Sequence, residues 1–267
     1  MKVRAYAKIN LSLDITGKKG HLHTLDSLMA SISLFDELSV ELSDKIEVNF
    51  FGAEIGKDNT AFRAAELVKR ITGKSLKIDI KKNIPIGGGL GGSSADAAAV
   101  LWCAEKMFDV SLEGHAIEIG SDVLFMMKGG FGRVSGCGDK LEEAPFRQMD
   151  ILLIDCGSVS TEQCYKVYDE SLKRSANSTN KAIKALRKGA SLEDIISNDL
   201  LVGAEKLNSS ISLAFKAAEK EGEKLFLSGS GGCLFSLSAS ASLEEKIKGL
   251  GLKTYRVKTT CRGVEGM

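Results

Sequence analysis

Residues 2–15, KVRAYAKINLSLDI, alternate between apolar and polar positions almost without interruption. Val3, Ala5, Ala7, Ile9, Leu11, Leu13 and Ile15 fall on one face, and Arg4, Tyr6, Lys8, Asn10, Ser12 and Asp14 on the other. A period of two predicts a half-buried strand. ISLFDELSVEL, KIEVNFF and SLKIDIKKN read as further strands. The spacing turns helical in NTAFRAAELVKRITG, which Asn59 or Thr60 would open and Gly73 would close. A second helix is predicted over 93–108.

The run MDILLID at 149–155 is apolar throughout and reads as a central strand that begins a new unit. Helical stretches are predicted over 161–173, 178–189 and 191–197. EKLFLSGSGGCLFSLS reads as strand, turn and strand. Ser242 and Glu245 have the spacing of a capping box, and LKTYRVKTT reads as a last strand. A boundary near residue 148 divides the chain into 1–148 and 149–267. The order of elements implies an α+β protein in two halves, because regular βα alternation is missing.

Composition narrows the function classes. The 267 residues are 43% hydrophobic and 27% charged, a globular balance with enough chain for a sizeable core. A net charge of +1 gives no bulk attraction to nucleic acid or an anionic membrane, so neither is expected as a partner. Stretches long and apolar enough to span a bilayer are lacking, and MKVRAYAKIN has no apolar signal core, which predicts a cytoplasmic protein. The six cysteines are scattered and read as reduced thiols. Cys156 and Cys164 could form a disulfide or a metal pair, but with three histidines in the chain and no cluster of them, a zinc site is not expected.

The candidate chemistry lies in PIGGGLGGSSADAAAVL, where five glycines fall within 87–92 and two serines precede an alanine-rich helix. A helix N-terminus carries unpaired N–H groups and the positive end of the macrodipole. Glycines before it let several N–H groups converge on one anion, and serines add hydroxyls. The combination suits phosphate, and a plain connector would need fewer glycines. Gly87, Gly89 and Gly92 formally satisfy the dinucleotide pattern GxGxxG. That fold needs an acidic residue ending a strand about twenty residues on, where this chain has a helix end and a loop. A Walker loop would need a lysine after the glycines, where Ser93 and Ser94 stand instead.

PIGGGLGGSSADAAAVL resembles the second motif of the GHMP kinases, a superfamily of ATP-dependent small-molecule kinases. AYAKINLSLDITGK, HTLDSLMASISLFDEL, DNTAFRAAELV, IGSDVLFMMKGGFGRVSGCGDKL, VSTEQCYKVYD, NDL at 198–200 and LFLSGSGGCLFSL resemble further segments in order, so the resemblance covers most of the chain. It is strongest to the branch that phosphorylates the 2-hydroxyl of a cytidine diphosphate-linked methylerythritol in non-mevalonate isoprenoid synthesis. It implies a two-domain α+β GHMP kinase fold, with a ribosomal-protein-like first half and a ferredoxin-like second half, and the site between them.

The resemblance also implies roles. Asp122 would take a proton from the substrate hydroxyl, with Lys8 beside it. Phosphoryl transfer independently calls for an oriented nucleophile and positive charge near the travelling group. Lys8 and Asn10, two apart on one polar face, can point into one cleft. The bland readings are a solvated strand lysine for Lys8 and a turn or helix cap for Asp122. Asn59 would bind the adenine. Pro85, Gly87, Gly88, Gly89 and Leu90, with Gly91, Gly92, Ser93 and Ser94, would hold the triphosphate, with Mg2+ alongside. Gly229, Ser230 and Gly231 would close the floor of the site. His23, Ser160, Thr161 and Tyr165 would lie at the cytidine side, although a helical aromatic such as Tyr165 is commonly core.

The chain departs from the family pattern in three places. GKKGHLHTL follows the first strand in place of Asp-Gly-Tyr-His, which puts Leu22 where an aromatic would stack on the base. Leu124 stands where proline is usual, and the stretch between Leu112 and Ile119 is short. The alternatives left open are a GHMP kinase for another small alcohol, a dinucleotide-binding oxidoreductase and a non-catalytic nucleotide-binding relative.

Overall fold

The structure, a computed structural model, describes residues 1–20, 22–52, 54–56, 59–171 and 176–267. His21 lies outside them, as do residues 172–173 of the helix expected over 161–173.

Two long strands, β1 (Lys2–Lys19) and β2 (Leu22–Ser43), form an antiparallel hairpin that organises the first sheet. β3 (Glu47–Phe51), helix α1 (Thr60–Thr72) and β4 (Ser75–Lys81) follow as a parallel crossover unit. Asn59 caps α1 by accepting from the Phe62 amide, and Gly73 ends it at a φ of 72°. The helix α2 (Gly92–Phe108) packs on the sheet with Ala95, Ala97, Ala98 and Ala99 at no exposure, and these small side chains let it lie close to the strands. A short 3-10 turn, Glu113–His115, leads into α3 (Ala116–Ile119), α4 (Val123–Lys128), β5 (Phe131–Gly136) and β6 (Lys140–Glu143). β2 pairs β1 on one side, and on the other it pairs β5 over its first part and β4 over its last.

The second sheet begins at β7 (Asp150–Asp155), the central strand expected from the apolar run. After it come α5 (Thr161–Glu170), α6 (Ser178–Arg187), α7 (Leu201–Leu207), α8 (Ser209–Lys220), β8 (Phe226–Leu227), β9 (Cys233–Ser236), α9 (Ala241–Gly249) and β10 (Lys253–Lys258). The strand order β10-β7-β9-β8 is antiparallel throughout, the 4-1-3-2 arrangement of a ferredoxin-like unit.

LKTYRVKTT contains β10 but is not the last strand. β11 (Val264–Gly266) returns to pair with β1, so the chain's end belongs to the first sheet. A stretch expected as helix, 191–197, is turns, with Ile195 and Ile196 both bonding back to the Leu192 carbonyl. The cap of α9 is Ser240, which accepts from the Leu243 amide, while the Ser242 hydroxyl donates to Glu221.

The half-buried β1 expected from its alternation is buried on both faces from Ala5 to Ile15. Two features explain this. The second half covers the polar face, where Asp14 accepts from the Ser178 and Thr179 amides and Ser12 bonds the Thr179 hydroxyl. In addition, pairing slips by one residue between Asn10 and Ser12, leaving Leu11 as a bulge. Val3 to Leu11 belong to the first core, but Leu13 and Ile15 pack in the second with Leu152 and Ile154. Leu13, not Ser12, therefore lines the central cavity beside Lys8 and Asn10.

Candidate active site

A cavity of about 410 Å³ opens where the two sheets meet. Its back is the glycine loop running into α2. The rest of the chain holds the loop by its carbonyls: the Lys8 amide donates to Leu90 at 3.0 Å, the Cys233 amide to Gly88 at 3.0 Å, the Val159 amide to Gly87 at 3.4 Å and the Ser228 hydroxyl to Gly89 at 3.0 Å. A Cβ on Gly89 would collide with the Ser228 carbonyl, so glycine is required for the two turns to touch. Gly91 stands at the N-cap of α2 at a φ of 71° with no side chain to accept from the first turn. The helix end therefore faces the cavity without a cap of its own, as an anion site requires.

Lys8 reaches the cavity from β1 with its side chain only 4% exposed. Its Nζ donates to Asn10 Oδ1 at 2.5 Å and lies 3.3 Å from Asp122 Oδ2. Asn10 is fixed in turn, donating from Nδ2 to the Ser27 hydroxyl at 2.8 Å. Asp122 sits at the start of α4 but makes no side-chain cap. The lysine is therefore not solvated, and Asp122, although it stands in the turn before α4, does not cap that helix.

Asn59, Pro85, the 87–94 loop, Thr161, Tyr165, Gly229 and Ser230 also line the cavity. Asn59 already donates to the Gly56 carbonyl while capping α1. Thr161 and Ser230 share a hydroxyl hydrogen bond of 2.7 Å, tying α5 to the second glycine turn. Burial, followed by the charge of Asp122, pushes the Tyr165 phenol up to about 12. Three expected residues stand off the cavity wall. The Ser160 hydroxyl accepts from Gln163 as the cap of α5, Gly231 packs against Val159 and Ala204, and His23 lies against Tyr165.

Sequence reasoning missed a buried cluster behind the loop. Lys82 Nζ donates to Asp36 Oδ2 at 2.5 Å and Asp96 Oδ2 at 2.7 Å, and Asp36 Oδ1 also accepts from the Asn83 and Ile84 amides. Burial pushes Asp96 up despite the Lys82 charge. Lys82 reads as one more charge in KKN, whereas Asp96 could have been noticed as the single charge inside the alanine run. Asn198 was quoted within NDL but given no role. It donates to the Leu227 and Gly229 carbonyls and so shapes the second glycine turn.

All six cysteines are free, which removes a Cys156–Cys164 disulfide, and no cluster of metal-binding type occurs among the described residues. Among the described residues, no helix is long and apolar enough to cross a membrane.

Residues 59–132 match the profile of the GHMP kinases N terminal domain. A homoserine kinase from Cytophaga hutchinsonii superposes with a TM-score of 0.76 at 17% identity, covering 99% of this chain and 96% of that one, which shows the shared fold. Fold and glycine cradle together define a GHMP-type small-molecule kinase. A 4-diphosphocytidyl-2-C-methyl-D-erythritol kinase from Desulfitobacterium hafniense (strain Y51) is 36% identical over 91% of this chain and 89% of its own length. The crystal structure of a 4-(cytidine 5'-diphospho)-2C-methyl-D-erythritol kinase superposes with a TM-score of 0.79 at 27% identity, covering 97% of this chain and 99% of that one. The chain belongs to the 4-diphosphocytidyl-2-C-methyl-D-erythritol kinase family of GHMP kinases.

Proposed function

We propose that this chain transfers the γ-phosphoryl group of ATP to the 2-hydroxyl of 4-diphosphocytidyl-2-C-methyl-D-erythritol. The observation that carries the reading is the Lys8–Asp122 pair, set 3.3 Å apart beside an uncapped helix N-terminus. The backbone of the 87–94 loop binds the triphosphate. Asp122 accepts the hydroxyl proton as the new P–O bond forms, the bond to the β-phosphate breaks, and ADP leaves with the electron pair. Lys8, locked by Asn10, offsets the charge spread over the travelling phosphoryl group. Its burial strengthens that effect, because low dielectric enlarges electrostatic interactions.

Mg2+ keeps water and phosphate oxygens in its shell and needs only one or two protein carboxylates. The Ser94 hydroxyl would supply an oxygen donor near the helix terminus, which leaves Asp122 to accept the proton. When bound, the ion neutralises charge on the β- and γ-phosphates. Thr161, Tyr165, Gly229 and Ser230 form the wall on the cytidine side.

The reading is tested by a coupled assay of ADP release with the cytidine substrate, homoserine, mevalonate and galactose. Turnover with the cytidine substrate alone is expected. Preference for one of the other alcohols would move the chain to a different GHMP activity.

A further inference from the structure

Residues 197–199 run along β1 just past its bulge. The Leu13 amide donates to the Ser197 carbonyl at 2.9 Å, the Asp199 amide donates to the Leu13 carbonyl at 2.9 Å, and Asp199 Oδ2 accepts from the Ile15 amide at 2.7 Å. Asn198 and Leu13 form a short parallel bridge. The backbone of Asn198 is thus fixed to the first half of the chain, while its side chain reaches into the second.

Both hydrogens of the Asn198 amide are in use. Nδ2 donates to the Leu227 carbonyl at 3.0 Å and to the Gly229 carbonyl at 2.7 Å, and Oδ1 accepts from the Leu200 amide at 2.9 Å. These partners decide which way the amide points, because a flipped group would set its oxygen against two carbonyls. The two carbonyls flank Ser228, whose hydroxyl accepts from the Asn10 amide at 3.3 Å and donates to the Gly89 carbonyl. Next after Gly229 comes Ser230, bonded to the Thr161 hydroxyl. One amide therefore stands behind a turn that touches the phosphate loop at one end and the acceptor wall at the other.

The two ends do not depend on Asn198 equally. The phosphate loop has three further anchors in the Lys8, Val159 and Cys233 amides. On the acceptor side, Leu13, Leu200, Gly229 and Ser230 all line the cavity. The first three are bonded directly to residues 197–199, and Ser230 follows Gly229.

We propose that Asn198 is a positioning residue for the alcohol substrate, clamping Gly229 and Ser230 into the wall against which the alcohol seats while leaving ATP binding to the other anchors. This role rests on the kinase reading of the cavity, in which Thr161, Gly229 and Ser230 form the acceptor side. Asn198 touches no substrate and acts through the turn it holds, as a supporting residue behind a binding wall does.

Asn198→Asp is the informative change. A carboxylate keeps the Leu200 bond but can only accept, so it meets the Leu227 and Gly229 carbonyls with lone pairs. The alcohol that the wild type phosphorylates is identified first, and the variants are read on that alcohol. KM for the alcohol should rise roughly tenfold. The Kd of a non-hydrolysable ATP analogue, measured by calorimetry, should be unaltered. Asn198→Ala removes the donors without adding charge and should show the same split more weakly, which keeps the test standing if Asn198→Asp does not fold. Ser230→Ala should raise the same KM. Combined with Asn198→Asp it should cost less than the product of the two separate effects, since both act through one turn. Equal losses in alcohol KM and nucleotide affinity would mark Asn198 as merely structural and overturn the proposal. So would an unchanged KM, or losses that multiply in full. If the wild type ignores the cytidine substrate and uses another alcohol, the cytidine reading falls, and the split on that alcohol still decides the role of Asn198. A wild type inactive on every alcohol would remove both.

Discussion

Lys8 Nζ lies 3.3 Å from Asp122 Oδ2, and neither residue is needed where its local structure would ordinarily use it. Lys8 is buried in a strand and Asp122 leaves its own helix uncapped. Two such groups facing one cavity support an acid–base and charge-stabilising pair better than a structural ion pair. Asp122→Asn keeps size and removes the proton acceptor, so turnover should fall by about 10²–10⁴-fold with ATP affinity retained. Lys8→Met keeps the stem and removes the charge, with an expected loss of about 10²–10³-fold in kcat. Steady-state kinetics beside nucleotide titration checks both; turnover within a few-fold of wild type in either variant removes that residue from the chemistry.

Gly91 combines a φ of 71° with close neighbours, since a Cβ there would stand 3.1 Å from Lys8 Cε and Cγ and 3.3 Å from Met126 Cε. Gly91→Val strains the backbone where it turns into α2 and presses on Lys8. ATP affinity should weaken by at least about tenfold while the far-UV circular dichroism stays native. Unchanged nucleotide affinity would take the loop out of the phosphate site.

Asp14 joins the two halves by accepting from the Ser178 and Thr179 amides. Burial acts to raise its pKa, but these amides, helped by both hydroxyls, outweigh it and leave the carboxyl below 3.8. A depressed folded-state pKa gives stability that is fully present above the unfolded value and is lost as pH falls through the folded one. Asp14→Asn should destabilise the protein by about 1–3 kcal/mol near neutral pH, because one amide donor meets an NH2 group. The gap between variant and wild type should narrow below pH 3.8 in denaturant titrations. A gap independent of pH would mean that the charge of Asp14 contributes nothing.

Leu22 is 53% exposed at the start of β2, beside His23. An aromatic at this position offers a flat face to a base, and such stacking contributes about 1–3 kcal/mol in single-strand binders. Leu22→Tyr should lower KM for the cytidine substrate several-fold and leave KM for ATP alone. If KM for the cytidine substrate stays put, Leu22 lies away from the base.

Much of this was legible in the chain. The glycine loop announced itself because no connector needs so many bare residues before a helix, and Asn59 and Gly73 marked α1 by cap chemistry. Lys8 and Asn10 were placed by their shared face. The alternation misled beyond Leu11, because a bulge is a property of pairing and leaves no mark in a strand's own pattern. Burial of the polar face of β1 was equally hidden, since its partners Ser178, Thr179 and Ser228 lie far along the chain. The same holds for Lys82, which resembles any solvated lysine until Asp36 and Asp96 close on it. The return of β11 to β1 could not be read from three residues with no distinctive pattern.

The reaction is defined by which hydroxyl receives the phosphate. Incubating the protein with ATP and 4-diphosphocytidyl-2-C-methyl-D-erythritol and recording the product by phosphorus NMR answers it directly. A new monoester resonance on the 2-hydroxyl beside an intact diphosphate, absent with Asp122→Asn over the same period, is the predicted result. ATP hydrolysis without a phosphorylated product, or phosphate on a different hydroxyl, would contradict transfer to the 2-hydroxyl.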